Sequence, residues 1–203
     1  MKGLLIDYGG VLTTDVFASF TAFCSAEGLA PDRVRELFRT DASARSLLAG
    51  LEDGTLSEDA FEESFAGLLG VAPAGLIRRL LGGAGPDHAM LAAVRSARHA
   101  GVRTGLISNS WGVRGYDREL LTDLFDAVVI SGEEGVRKPA PAIYELGVLR
   151  LGVPAGDCVY VDDLPGNLKP AAALGMATVR HRDAPTTIAE LERLLGVPLG
   201  TGP

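Results

Sequence analysis

The sequence predicts an α/β fold: a doubly wound, mainly parallel Rossmann-like sheet with a small all-helical cap inserted after the first strand. Three observations carry this reading. Leu4-Leu5-Ile6 is a short apolar run near the start of the chain that ends in an acid, Asp7, followed shortly by Gly9 and Gly10, as a strand buried on both faces would. From Asp87 onward helical and strand-like stretches alternate, which implies parallel strands joined by crossover helices. Between them, residues 14–86 carry only helical patterns. The expected division is therefore 1–13 and 87–203 as the sheet-bearing core and 14–86 as the cap.

Each element has its own signal. Phe17, Phe20, Ala22, Phe23 and Leu29 recur at helical spacing until Gly28 stops them. Pro31 can occupy the first turn of a second helix through Val34, Leu37 and Phe38, and a third is expected to end at Gly50. Asp53-Gly54 reads as a turn, and Ser57 as the N-cap of a helix whose first turn holds Glu58 and Asp59 and which runs to Gly70. Pro73 to Leu81 completes the cap before Gly82-Gly83-Ala84-Gly85-Pro86 breaks the pattern. In the second part, Asp87 can cap a helix ended by Gly101, and Val102–Ser108 is a strand. A helix through Leu120, Leu121, Leu124 and Phe125 leads to the strand 127–131. Pro141 opens a helix that runs past Leu149, Val159–Val161 is the next strand, and a helix to Gly175 precedes the strand Ala177–Val179. The closing helix spans Thr186–Leu195.

Composition narrows the function. At 203 residues, 47% hydrophobic and 22% charged, the chain is an ordinary globular protein. Its net charge of -7 and lack of basic clusters argue against nucleic acid or an anionic membrane as partner. No run approaches a membrane span, and Met1-Lys2-Gly3 passes directly into the first strand without a leader, so a cytoplasmic location is expected. Cys24 and Cys158 stand in apolar contexts and read as buried thiols. His88, His99 and His181 are scattered and offer neither a catalytic triad nor a histidine metal site. The cap holds 11 acids and six arginines, unsuited to polyanionic substrates. It also holds Phe17, Phe20, Phe23, Phe38, Phe61 and Phe65, read as a core for the helical module rather than as a substrate pocket.

Four stretches bear chemistry. Asp7 ends the first strand as a candidate nucleophile or metal ligand. Ser108 and Asn109 end the second with a hydroxyl and an amide, both able to donate to phosphate oxygens. Lys138, one of only three lysines in the chain, stands in a loop stiffened by Pro139 and Pro141. Asp162 and Asp163 end an apolar strand as adjacent carboxylates, whose mutual repulsion a divalent cation would relieve.

Acid, hydroxyl, lysine and acid pair in that order form the four-motif pattern of the haloacid dehalogenase superfamily, which the chain resembles over essentially its whole length. It is most similar to the N-terminal phosphatase domain of bifunctional epoxide hydrolases, through Gly9-Gly10-Val11-Leu12, Ser108-Asn109-Ser110-Trp111, Lys138-Pro139-Ala140-Pro141-Ala142-Ile143-Tyr144 and Asp162-Asp163-Leu164-Pro165-Gly166-Asn167-Leu168-Lys169-Pro170-Ala171. The resemblance implies a Mg²⁺-dependent phosphatase for a small organic phosphate ester, with Asp7 forming an aspartyl-phosphate. It implies Mg²⁺ on Asp7, Asp163 and the Gly9 carbonyl, with Asp162 close by or ligating, Ser108 and Asn109 on the phosphate, and Lys138 as its counter-charge. One position departs from the pattern. Most of the superfamily's phosphatases carry an aspartate two residues after the nucleophile as general acid/base, and here that position is Gly9. A substrate with a good leaving group, a substitute acid such as Asp15, or a catalytically weak protein that binds a metabolite or partner would each fit. A dehalogenase-type hydrolase is the other alternative, against which the acid pair at 162 and 163 speaks.

Overall fold

The computed structural model describes residues 2–200, so Met1 and residues 201–203, included in the expected core range, lie outside the described residues. Five parallel strands form one sheet in the order β3-β2-β1-β4-β5. They are β1 (Gly3–Ile6), β2 (Arg103–Ser108), β3 (Ala127–Ile130), β4 (Cys158–Asp162) and β5 (Ala177–Arg180). β1, the first strand in the chain, lies in the middle because both neighbours are added to it, β2 with Ile6 opposite Leu106 and β4 with Ile6 opposite Val161.

Side chains alternate between two cores. Leu4, Ile6, Leu106, Val159 and Val161 face one layer, made by α6 (His88–His99), α7 (Arg118–Leu124) and α11 (Ala184–Leu195). Leu5, Ile107, Val129 and Tyr160 face the other, made by α9 (Pro141–Leu151) and α10 (Pro165–Ala173). Helices on both faces make the sheet doubly wound. The strand order reverses between β1 and β4, and the crevice beyond their carboxyl ends is where α/β sheets of this kind take ligands.

The helical insert comprises α1 (Val16–Ala26), α2 (Arg33–Thr40), α3 (Ala42–Glu52), α4 (Glu58–Leu69) and α5 (Leu76–Leu81). Its neck is closed by backbone pairing, with Thr14 N donating to the Gly85 carbonyl at 2.8 Å and Asp87 N to the Leu12 carbonyl at 2.9 Å. Asp15, Asp41 and Ser57 cap α1, α3 and α4 through their side chains, and Asp87 caps α6.

Several expected boundaries move. Gly50 does not end α3, which continues two residues to Glu52, because leucines at 47, 48 and 51 keep the helical period and Gly50 is merely the site where the Thr55-Leu56 turn folds back on it. α2 starts at Arg33 rather than Pro31, and α5 at Leu76 rather than Pro73. Ser131 leaves the third strand and opens a four-residue helix, α8 (Ser131–Glu134), closed by Gly135 at φ 69°. Both cysteines are buried and free.

Candidate active site

Asp7 sits one residue past β1, and its N–H still donates to the Val161 carbonyl at 2.9 Å, which aligns it with the end of β4. The chain then turns sharply. The N–H groups of Val11, Leu12 and Thr13 converge on the Tyr8 carbonyl, whereas the Gly9 carbonyl accepts no hydrogen bond among the described residues. Gly10 has φ 73°, and a Cβ there would lie 2.9 Å from Asp163 Oδ2. Only glycine fits at both counts, the backbone angle and the approach of the acid.

Lys138 lies between the carboxylates. It is 1% exposed, with Nζ 2.7 Å from Asp7 Oδ1 and 2.8 Å from Asp162 Oδ2. The Tyr8 N–H also donates to Asp7 Oδ1, at 2.7 Å. Asp162 is saturated: Oδ1 accepts from Leu164 N and Asn167 Nδ2, and Oδ2 from Lys138 Nζ, Tyr160 OH at 2.6 Å and Asn167 Nδ2. Asp163 is less enclosed, and single oxygens of Asp7, Asp162 and Asp163 lie within 4.8 Å of one another.

Three acids around one ammonium leave an excess of negative charge. Burial pushes the Asp7 carboxyl up to about 7; Lys138 opposes the shift, and Asp162 and Asp163 add to it. Burial, then Asp162, push Asp163 up to about 6, again against Lys138. For Lys138, burial works to lower the pKa, but Asp7 and Asp162 outweigh it and the ammonium is held above its ordinary value. A hard cation suits this site, since the ligand atoms that Asp7, Asp162 and Asp163 offer are all carboxylate oxygens.

Ser108 and Asn109 end β2 beside these groups. Ser108 Oγ is 2.8 Å from Tyr116 OH, and Tyr116 packs on Tyr8 with ring centroids 5.2 Å apart. Asn109, expected to face the phosphate, clamps the lysine loop: Nδ2 donates to the Lys138 carbonyl at 3.1 Å and Oδ1 accepts from Lys138 N at 2.8 Å. Asp15 serves as the α1 cap, accepting from Phe17 N at 2.7 Å.

Phe20, Phe23, Phe61 and Phe65 form the core of the insert with Phe38 packed against them, whereas Phe17, expected with them, is 37% exposed, and one partner comes from outside the insert. Trp111, two residues past Asn109, reaches in and lies 5.3 Å from Phe20, 5.8 Å from Phe38 and 6.1 Å from Phe61 between ring centroids. A cavity of about 420 Å³ opens beside Phe17, Phe20 and Phe38, and none of the acid, hydroxyl or lysine candidates lines it. Tyr160 and Asn167 were not singled out beforehand. The one sequence signal for Tyr160 is that residues two apart on a strand share a face, which sets it beside Asp162.

This is a Rossmann-like α/β enzyme fold with its polar cluster at the switch point of the sheet. The sequence profile of the haloacid dehalogenase-like hydrolases matches residues 1–175, and the chain belongs to that family. It is 35% identical over 120 residues to bifunctional epoxide hydrolase 2 of Sus scrofa, covering 56% of this chain and 22% of that protein. It is 32% identical over 133 residues to the sesquiterpene phosphatase of Aspergillus oryzae, covering 64% and 68% of the two. The chain spans a small part of some relatives it matches, 11% of acyl-CoA dehydrogenase family member 10 of Mus musculus. In fold it is similar to a predicted HAD-like hydrolase of Porphyromonas gingivalis, with TM-score 0.74, 23% identity and coverage of 96% and 98%. A HAD family enzyme of Bacteroides thetaiotaomicron in complex with magnesium and inorganic phosphate gives TM-score 0.70 at 22% identity, covering 90% and 94%. None of the described helices is long and apolar enough to cross a membrane.

Proposed function

We propose that the chain is a Mg²⁺-dependent phosphatase acting on a small organic phosphate through an aspartyl-phosphate at Asp7, with helices α1–α5 (residues 14–86) as its cap. The observation that carries this is the contact of Lys138 Nζ with Asp7 Oδ1 at 2.7 Å inside a cluster of three acids. Such a lysine favours the ionised form of the nucleophile against the effect of burial and presents positive charge to the arriving phosphoryl group. Asp7, Asp163 and the Gly9 carbonyl would hold the cation; Asp162, its oxygens already engaged, steadies Lys138 and the site from behind. When bound, Mg²⁺ would neutralise carboxylate and phosphoryl oxygens so that one anion can approach another.

In the first step a bond forms between an Asp7 oxygen and phosphorus while the ester's P–O bond breaks. The departing oxygen takes its proton from solvent, because Gly9 supplies none. Water then attacks phosphorus and gives up a proton to solvent, the acyl-phosphate bond breaks, the Asp7 carboxylate is regenerated and inorganic phosphate is released. Ser108 and the loop held by Asn109 orient the phosphoryl oxygens. Without an acid at position 9, esters of weakly basic leaving groups are the favoured substrates.

The A. oryzae relative is named a phosphatase, which supports the phosphate chemistry over dehalogenation. The test is phosphate release from a panel of aryl, acyl and alkyl phosphates with Mg²⁺ or with EDTA. Release that needs Mg²⁺, falls along the panel as leaving-group pKa rises, and vanishes in Asp7→Asn supports the reading. Binding of esters with no release would favour a protein that works by binding alone.

A further inference from the structure

The end of α3 in the helical insert touches both loops that carry catalytic candidates. Glu52, the last residue of that helix, is 8% exposed. Its carboxylate accepts a 2.7 Å hydrogen bond from Nη1 of Arg137, the residue before Lys138. Its main-chain carbonyl accepts the Ser131 hydroxyl. The Ser131 oxygen in turn accepts from the Ser110 N–H at 2.9 Å, in the loop after β2. Asn109 in that same loop grips the backbone of Lys138 from its other side. Next to Glu52, Gly54 at φ +77° lies so near Gly132 that a Cβ there would collide with the Gly132 carbonyl. Insert and sheet are thus in backbone contact where the lysine loop begins.

Attachment alone does not explain this arrangement. The neck at Thr14 and Gly85 already joins the insert to the core. Glu58 makes a second polar contact, accepting from Val113 N at 2.9 Å and Arg114 N at 3.2 Å. A carboxylate as buried as Glu52 costs free energy unless it is paired, and its partner is the immediate neighbour of the lysine. The segment from Gly135 to Ala140 has little hydrogen bonding of its own beyond Ala140 N to the Arg137 carbonyl. It must nevertheless hold a buried ammonium in register with two carboxylates, so it depends on outside anchors. Asn109 is one and Glu52 is another.

We propose that Glu52 is a positioning residue for Lys138, so that docking of the helical insert on Arg137 and Ser131 sets the place of the catalytic lysine over Asp7. The kinetic consequence rests on the phosphatase reading; the displacement of Lys138 does not. Glu52→Ala and Glu52→Gln are compared with Glu58→Ala, which removes the acceptor of the other contact between insert and core. Turnover of an aryl phosphate with Mg²⁺, thermal unfolding, and a crystal structure of Glu52→Ala are the readouts. The expected result is a loss of kcat of roughly 10- to 100-fold in Glu52→Ala, and less in Glu52→Gln, with KM little changed, as displacement by about 1 Å produces. Lys138 Nζ should leave its 2.7 Å contact with Asp7. Glu58→Ala should keep wild-type kcat, and the exchanged pair Glu52→Arg with Arg137→Glu should recover activity that either single change loses. Should Glu52→Ala not fold, Glu52→Gln and the exchanged pair decide. Wild-type kcat in folded Glu52 variants, an unmoved Lys138, or an equal loss in Glu58→Ala would overturn the proposal. If the wild type releases phosphate from no ester, the phosphatase reading fails, and the position of Lys138 alone then decides this one.

Discussion

One ammonium among three carboxylates governs the chemistry of the cleft. Asp7 and Asp163, pushed up to about 7 and about 6 by burial, keep protons in the folded chain that the unfolded chain releases near the ordinary carboxylate value. The native state therefore binds more protons across the interval from roughly pH 4 to 7, and their contribution to metal-free stability falls as pH rises through it. Mg²⁺ requires the ionised ligands and should reverse this trend. Urea unfolding of wild type and Asp163→Asn in EDTA checks it: the stability difference should shift against the wild type with rising pH, and a difference that is flat or of opposite slope contradicts the assignment. At position 9, a Cβ would meet Val16 Cγ2 at 3.5 Å, an ordinary contact, so Gly9→Asp should fold and place an acid by the leaving oxygen. Its kcat on alkyl phosphates should rise by up to ~10²-fold, with little change on aryl phosphates. Asp7, Asp162 and Asp163 are legible because they end or follow an apolar run, and Lys138 because it is one of three lysines and stands in a loop stiffened by prolines. Tyr160 carries only its two-residue spacing from Asp162 and otherwise reads as one more core side chain. Tyr160→Phe removes the 2.6 Å bond to buried Asp162 and should cost about 1–3 kcal/mol in chemical denaturation.

Among the elements, strands and caps could be anticipated and the joints between layers could not. Asp87, Ser57 and Pro141 marked helix starts correctly, because capping is decided by one side chain and the backbone beside it. The end of α3 was misplaced because a glycine was read as a stop where leucine periodicity continued. The short helix α8 and the reach of Trp111 into the insert both depend on neighbours distant in sequence, and local pattern contains no trace of them. Phe61, fully buried, stacks on Phe65 at 5.3 Å and meets Trp111 edge-on at 6.1 Å. Phe61→Ala should therefore cost about 3–5 kcal/mol. Because Trp111 is the chain's one tryptophan, its fluorescence should shift to the red as the insert loosens; an unchanged spectrum would show that the aromatic cluster does not hold this loop.

For the whole molecule, the alternation of helix and strand after Asp87 dictated a parallel sheet, and handedness of the crossovers left few orders to choose from. What pattern alone could not supply was the approach of four separate loops to within a few ångströms, which arises from β1 lying at the centre with the strand order reversing beside it. The central claim is that this convergence makes Asp7 the phosphate acceptor. The most direct measurement is a single-turnover reaction with ³²P-labelled substrate and Mg²⁺, quenched in acid, with label sought on the peptide containing Asp7. Hydroxylamine-sensitive label on that peptide in the wild type, and none in Asp7→Asn or in EDTA, is the expected result. Phosphate release that continues in Asp7→Asn, or label carried by a different residue, would contradict it.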